Sequence, residues 1–137
     1  MTRTLEGDVI GTSGAFGKSK NTREKVYDND EKTHFDGPAG DGVWAGMDLG
    51  ASRTSRVTAI RYFPRESWPD RMIGGVFQGA NRSDFGDAVE LGRIAASPRP
   101  GGYTLLAVDC SQSFRYLRYL SPKGGWGNVA EVRFFGP

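Results

Sequence analysis

The sequence has one cysteine, one histidine and no long apolar run. Because Cys110 is alone, no disulfide can form within the chain and no cysteine-based metal cluster can be built. Because His34 is the only histidine, a zinc site would need carboxylates for its other side-chain ligands, and a catalytic triad would have one possible base. No segment approaches the length of a membrane-spanning helix, and residues 1–7 lack the apolar stretch of a signal peptide. We therefore expect a fold stabilised by packing, with or without a bound ion.

A strong net charge is also missing. The chain carries 18 Lys and Arg residues and 16 Asp and Glu residues, which are interspersed and give a formal net charge of +2. This balance provides no broad field to attract nucleic acid or an anionic membrane, so neither is an expected partner. With one histidine and no organised nucleophile, a small enzyme is retained only as an alternative to a binding module.

Helical periodicity is nearly absent, and short runs of β-branched and aromatic residues alternate with turn-forming clusters. A length of 137 residues fits one domain, 1–137, and the strand spacing is typical of a sandwich or barrel. Residues 21–27 are predicted to form at most one helical turn. The predicted strands are 8–12, 43–49, 57–63, 72–78, 88–94, 103–108, 114–120 and 130–135.

Two of these strands carry informative side-chain patterns. Residues 103–108 are apolar on both faces, which predicts a central strand covered on both sides. Residues 130–135 alternate, with Glu131 and Arg133 on the polar face, which predicts a half-buried strand.

The densest polar segment is 28–36, where Asp, Asn, Glu and Thr supply the oxygen atoms that Ca²⁺ prefers. An EF-hand loop is excluded, because Lys32 and Thr33 stand where that motif needs an oxygen ligand and a glycine. A solvated acidic turn is the alternative interpretation, since Asp and Asn favour turns for backbone reasons.

Three aromatic residues, Phe16, Trp68 and Trp126, fall in predicted loops. Each could pack against the core from outside or offer its ring to a ligand. A planar indole stacks on the apolar face of a sugar while Arg and Asp bind the hydroxyls, so the loops favour a shallow sugar site. Asn81 lies in an N-glycosylation acceptor pattern, which could be modified only if the protein is exported by a host that glycosylates it.

Several segments together resemble the coagulation-factor type C, or discoidin, domains, and the similarity runs from about residue 7 to 136. The resemblance implies a galactose-binding-like jelly-roll β-sandwich of about eight antiparallel strands. It also implies a non-catalytic carbohydrate-binding module, close in kind to family 32 modules, whose partner is an oligosaccharide or polysaccharide. The segments are 26–35 (VYDNDEKTHF), 44–50 (WAGMDLG), 60–65 (IRYFPR), 114–119 (FRYLRY) and 128–136 (NVAEVRFFG).

The same resemblance implies a structural calcium ion that ties the early acidic loop to the last strand. It gives Glu131 a role that alternation alone does not, because alternation places this residue on the surface. The implied ligands are the backbone of Lys25 or Val26, Asp28, Asp30, Thr33, the backbone of Ala130 and the carboxylate of Glu131.

In sugar-binding relatives the ligand lies on loops at one end of the sandwich. The resemblance matches an arginine to Arg65 and a stacking aromatic to Trp126. Asp70 stands where galactose binders tend to have asparagine, and Asp36 stands near their histidine. The implied ligand-binding residues are Arg65, Trp68, Asp70, Trp126, Asp36 and His34.

Two further questions stay open at this stage. A discoidin-like adhesion module that binds protein or phospholipid would keep the fold, and Phe16 with Lys18 and Lys20 would then be the apolar and basic loop contact. The chain is expected to act outside the cell as part of a larger secreted protein, although a cytosolic protein is the other interpretation of its amino terminus.

Overall fold

Nine strands form two antiparallel sheets that pack face to face, as seen in a computed structural model that describes residues 2–137. The strands are β1 (Arg3–Thr4), β2 (Asp8–Gly11), β3 (Trp44–Asp48), β4 (Ala59–Phe63), β5 (Val76–Ala80), β6 (Val89–Arg93), β7 (Thr104–Ala107), β8 (Tyr116–Leu120) and β9 (Glu131–Gly136). Three short 3₁₀ helices lie in the connections, at Phe16–Lys18, Arg23–Tyr27 and Pro69–Met72. The predicted jelly-roll sandwich is confirmed.

The strand order is β1-β9-β4-β7 in one sheet and β2-β3-β8-β5-β6 in the other. Strand β1 pairs with β9 so that Arg3 faces Gly136 and Thr4 faces Phe135. The two ends of the described chain therefore lie side by side, at the end of the sandwich where β9 finishes.

The core lies between the inner faces of the two sheets, where the β-branched and aromatic residues of the strands meet. Phe77 of β5 packs near the rings of Tyr62, Tyr119 and Phe134, with centroid separations of 5.2–6.2 Å. Each of these residues is at most 4% exposed. Aromatic rings in such tilted and edge-on arrangements add to the stabilisation that comes from burying their area.

Strand β7 corrects one sequence prediction, because residues 103–108 were expected at the centre of a sheet. The strand lies at an edge and pairs only with β4. Leu105, on its outward face, is 67% exposed, while the neighbouring Leu106 packs against the core. Apolar side chains on both faces of a strand predict that both faces are covered by protein, but one of these two leucines faces solvent.

The strand predicted at 72–78 is displaced toward the carboxyl end. Met72 ends the 3₁₀ helix Pro69–Met72, and β5 begins at Val76. Gly75 lies so close to Tyr119 that a Cβ on it would clash with that ring, and Gly74 has a φ of 91°. The chain therefore turns at these glycines before it enters the sheet. Strand β1 was not predicted, whereas the single turn expected within 21–27 is confirmed.

No helix among residues 2–137 has the length and apolarity needed to cross a membrane.

Replacing Phe77 by alanine should lower the free energy of unfolding by about 3–5 kcal/mol, because a large buried ring leaves a cavity. The same truncation of Leu105 should change it by less than about 0.5 kcal/mol, since that side chain is largely solvated. Urea unfolding of both variants measures the difference. A large loss in the Leu105 variant would contradict the edge position of β7.

Candidate functional site

A polar cluster lies at the end of the sandwich where β4 ends and β9 begins, opposite the paired termini. It comprises one acidic, two basic and one amide side chain, and we call it the amide cluster. Its members are Asp36, Arg65, Arg71 and Asn128.

Asn128 is the centre of this cluster and is only 1% exposed. Its Oδ1 accepts hydrogen bonds from Nη1 of Arg65 at 3.1 Å and from Nη1 of Arg71 at 2.9 Å. Two guanidinium groups from the segment that follows β4 therefore converge on one amide oxygen. Charge-assisted hydrogen bonds of this kind are stronger than neutral ones and fix the direction of the donor.

The amide nitrogen of Asn128 faces the opposite way, toward acceptors on two other segments. Nδ2 donates to Oδ1 of Asp36 at 3.1 Å, to the carbonyl of Phe35 at 3.2 Å and to the carbonyl of Trp126 at 3.3 Å. With its oxygen also occupied, the amide has one orientation that satisfies all its partners. A single buried side chain thus joins three loops.

Arg65 and Asp36 form a partly buried ion pair, with 3.5 Å between Nη1 and Oδ2 and side-chain exposures of 14% and 17%. Burial lowers the pKa of Arg65, the charge of Asp36 opposes this effect, and Arg71 adds to it. Guanidinium groups titrate so far above neutrality that Arg65 remains charged at pH 7. The pair therefore presents charged donors and an anionic acceptor at one surface.

Three loop aromatics surround the amide cluster, and we call them the aromatic rim: Phe16, Trp68 and Trp126. The ring of Phe16 contacts that of Trp126 edge-on, with 5.5 Å between centroids, and Phe16 is 58% exposed. Trp68 is 53% exposed, and the guanidinium carbons of Arg65 and Arg71 lie 4.7 and 4.4 Å from its ring centroid. The rim therefore combines exposed apolar surface with cation–π contacts to the cluster.

Both tryptophans adopt a left-handed backbone, with a φ of 57° at each. This conformation is costly for a bulky residue and persists only where the surroundings impose it. At Trp126 the backbone N–H donates to Gly40 and the carbonyl accepts from the N–H of Gly37, at 3.1 and 2.6 Å. The indole is thus held by the loop 37–42, so the aromatic rim is formed before any ligand arrives.

His34 lies beside the amide cluster and is partly buried. Burial lowers its pKa, Arg65 adds to this effect and Asp36 opposes it. Among residues 2–137, no group hydrogen-bonds to its buried Nε2.

The acidic loop 28–36 is held by its own side chains. Asp28 accepts hydrogen bonds from the N–H of Asp30 at 3.0 Å and from the hydroxyl of Thr33 at 2.6 Å. Asp30 accepts from the N–H of Lys32 at 2.9 Å, and its carbonyl accepts from the Thr33 hydroxyl at 3.0 Å. Carboxylate, carbonyl and hydroxyl oxygens are thereby concentrated in a short segment.

Glu131 is completely buried at the start of β9, and neither carboxylate oxygen has a hydrogen-bond partner among residues 2–137. The nearest cation is Arg133, with Nη2 3.6 Å from Oε1. Burial, and then the neighbouring Asp28, raise the pKa of Glu131 to about 8. A buried carboxylate that accepts no hydrogen bond is costly to ionise, so this position favours either a proton or a bound cation.

The carboxylates alone do not make a metal centre. No three His, Cys, Asp or Glu side chains within residues 2–137 converge as they would around a bound ion. A cation at Asp28 and Glu131 would therefore need backbone and hydroxyl oxygens to complete its shell. The resemblance implies such a mixed set of ligands, and Ca²⁺ accepts it.

The chain was compared with known proteins. No family model and no curated protein matches it. Among solved structures, it is similar to the CBM62 of Xyl5A from Clostridium thermocellum, with 48% identity and a TM-score of 0.96, over 98% of this chain and 96% of that one. The chain belongs to the CBM62 family of carbohydrate-binding modules.

More distant structures share the same fold. An F-type lectin, or fucolectin, from the serum of striped bass, Morone saxatilis, has a TM-score of 0.78 at 20% identity, over 98% of this chain and 47% of that one. A CBM32 module of Clostridium perfringens, in complex with GalNAc-β-1,3-galactose, has a TM-score of 0.70 at 15% identity, over 96% and 99%. These neighbours confirm the predicted resemblance to galactose-binding-like domains.

The structure brings most of the predicted ligand residues of this CBM62 module together. Arg65 and Asp36 are in the amide cluster, and Trp68 and Trp126 are in the aromatic rim. Asp70 is exposed, and its side chain forms no hydrogen bond or ion pair with any of residues 2–137. Its neighbour Arg71 occupies the cluster instead.

Sequence reasoning missed Arg71 and Asn128. A polar residue directly before the last strand, in an otherwise apolar stretch, was the available signal for Asn128. Phe16 was considered for an adhesion role, but its ring contacts Trp126 and so belongs to the module's aromatic rim. The comparisons lend no support to the adhesion alternative.

Replacing Asn128 by alanine should lower the free energy of unfolding by about 1–3 kcal/mol, because buried donors and acceptors lose their partner. Gln112→Ala is the matched control, since that amide is exposed, forms no side-chain hydrogen bond with any of residues 2–137 and should cost less. Urea unfolding compares the two. Equal losses would show that the buried amide does not organise the loops.

Proposed function

We propose that this module binds a sugar residue of an oligosaccharide or polysaccharide at the loop end of the sandwich and performs no chemistry of its own. One observation carries the proposal: fixed charged donors and an acceptor converge beside exposed aromatic rings. Sugar recognition requires this combination, because a pyranose has an apolar face and a rim of hydroxyl groups.

The aromatic rim would supply the apolar contact. Trp126 is held by its backbone hydrogen bonds to the loop 37–42, and Phe16 supports it edge-on. A ring that is fixed before binding loses little side-chain entropy when a ligand stacks on it. Trp68 is 53% exposed and lies against the guanidinium groups of Arg65 and Arg71, so it would add a second aromatic surface.

The amide cluster would supply the polar contacts. Arg65 and Arg71 retain guanidinium N–H groups that Asn128 does not use, and Asp36 is an acceptor for hydroxyl groups. Their directions are set by the buried amide, so a sugar with differently placed hydroxyls would leave donors or acceptors unpaired. Such mismatches are the main source of specificity in polar sites.

The absence of catalysis is part of the proposal. Hydrolysis of a glycosidic bond needs two carboxyl groups on either side of the bond. The amide cluster contributes one, Asp36, which is engaged by Arg65 and Asn128.

We further propose that calcium stabilises the module. The orphaned carboxylate of Glu131 and the adjacent Asp28 fit a divalent cation, and the acidic loop carries the remaining oxygen atoms. The proposed ligands are the predicted ones, namely the backbone of Lys25, Asp28, Asp30, Thr33, the backbone of Ala130 and Glu131. The ion would take the place of the proton that the raised pKa of Glu131 otherwise retains near neutral pH, and it would connect the acidic loop to β9. We also propose that the module acts outside the cell as part of a larger secreted protein.

Replacing Trp126 by alanine should weaken sugar binding about tenfold or more, because the stacking surface is lost. A glycan array followed by isothermal titration calorimetry with the sugars that bind measures the change. Thermal melting of the variant checks that the fold is intact.

The matched control is Trp44→Phe. Trp44 is a partly buried tryptophan whose ring contacts Phe85 on the outer face of the five-stranded sheet. It should retain the affinity of the original protein. Undiminished binding by the Trp126 variant would remove the proposed site.

Removing calcium with a chelator should lower the melting temperature, since an ion that binds only the folded state adds about 2.7 kcal/mol at 100 times its Kd. Glu131→Gln removes the buried charge and should abolish the response to calcium, whereas Glu90→Gln, at an exposed ion pair, should preserve it. Differential scanning calorimetry with and without chelator makes the comparison. Identical melting of the original protein under both conditions would refute the calcium proposal.

A further inference from the structure

A cleft of about 450 Å³ lies next to the amide cluster and shares Arg65 with it. We call it the side cleft. Its volume is within the range of small-molecule sites, about 300–1,000 Å³. The residues that line it and carry the following argument are His34, Phe63, Arg65, Glu66, Ser67 and Gly101.

Arg65 and His34 connect the side cleft to the proposed sugar site. The Nη1 of Arg65 reaches Asn128 and Asp36 in the amide cluster, yet Arg65 also lines the side cleft. The guanidinium group of Arg65 is therefore common to the amide cluster and the side cleft. A glycan whose end lies at the amide cluster would reach the side cleft with its next sugar residue.

Two residues that line the side cleft carry buried nitrogens without hydrogen-bond partners. The Nε of Arg65 and the Nε2 of His34 are buried and have no hydrogen-bond partner among residues 2–137. Buried polar atoms are nearly always paired, so the protein does not itself satisfy the polar groups of these two lining residues, and a ligand hydroxyl would reach them after a small side-chain adjustment.

The remaining lining residues suit a sugar ring. Phe63 is partly exposed and provides an apolar wall, held edge-on by Tyr103 with 5.0 Å between ring centroids. Gly101 has open space around it, since no atom would lie within 4 Å of a Cβ there. The cleft is therefore open at the position of Gly101 and bounded by an aromatic ring at Phe63.

The charges of the side cleft favour a neutral ligand. Glu31 and Glu66 line it together with Lys32 and Arg65, so acidic and basic groups are balanced. Neither an anionic nor a cationic sugar would gain a net attraction there, and either would lose part of the hydration of its charge on entering the cleft, whereas a neutral sugar carries no such cost.

We propose that the side cleft binds a second, neutral sugar residue, so that the module recognises the last two residues of a glycan and not the terminal one alone. This inference rests on the proposed sugar site at the amide cluster. It adds a subsite and restricts the class of ligand to neutral oligosaccharides.

The test is a glycan array that presents monosaccharides beside their α- and β-linked disaccharides and trisaccharides, ending in galactose, fucose, N-acetylgalactosamine, mannose, glucose, xylose or arabinose. At least one neutral disaccharide should bind about tenfold more tightly than its terminal monosaccharide, as expected from one or two additional well-made hydrogen bonds. Disaccharides with glucuronic acid as the second residue should gain nothing. Titration calorimetry of the best pair quantifies the gain.

Two variants place a side chain in the side cleft at positions outside the amide cluster and the aromatic rim. Gly101→Asn suits the φ of 78° at that position, and Ser67→Tyr fills the cleft from an exposed loop. Each should remove the disaccharide gain and leave monosaccharide affinity unchanged. Ser52→Asn is the matched control, because Ser52 is exposed and left-handed at the opposite end of the sandwich.

The outcomes separate the two proposals. If no glycan binds at all, the proposed function and the subsite both fail. If monosaccharides bind and their neutral disaccharides bind no better, or if both cleft variants keep the gain, the sugar site stands and the subsite is refuted. A gain as large with glucuronic acid as with a neutral residue would overturn the assignment to neutral sugars.

Discussion

The hydrogen bonds of one buried amide organise the loop end of the sandwich where β4 ends and β9 begins. Asn128 holds two arginines through its oxygen and three acceptors through its nitrogen, so segments far apart in the sequence meet at one point. Loops that protrude from a sandwich have few contacts of their own and would otherwise sample many conformations. The buried amide, with the left-handed tryptophans that flank it, converts these loops into a rigid surface whose donors and acceptors have fixed directions.

A second buried polar residue, Glu131, lies three positions after Asn128 in the sequence. The two differ in the state of their polar atoms: the amide is fully hydrogen-bonded, whereas the carboxylate accepts no hydrogen bond from residues 2–137 and has only a 3.6 Å ion pair with Arg133. Both sit where the chain enters β9, so the proposed calcium site and the amide cluster would lie close together at the start of this strand.

Much of this architecture follows from local signals in the sequence. Short runs of β-branched and aromatic residues between turn-forming clusters predict most strands, and the ordered motifs of the discoidin resemblance imply Arg65, Asp36 and Trp126 as site residues. The failures have physical causes. Strand β7 seemed central because Leu105 and Leu106 are both apolar, but an edge strand tolerates an exposed leucine. Asn128 and Arg71 escaped notice because their importance arises from contacts between distant loops, which no local pattern of one sequence contains. The burial of Glu131 was equally invisible to alternation.

The pairing of β1 with β9 determines which end of this domain faces any surface or polypeptide to which it is attached. Because Arg3 lies against Gly136, both backbone ends leave the sandwich together, on the side away from Asn128 and the tryptophans. A surface, a tag or another polypeptide joined at either end would meet the same pole of the domain. The opposite end, with Asn128 and the two tryptophans, would then face away from the attachment point and stay accessible to a large polymer.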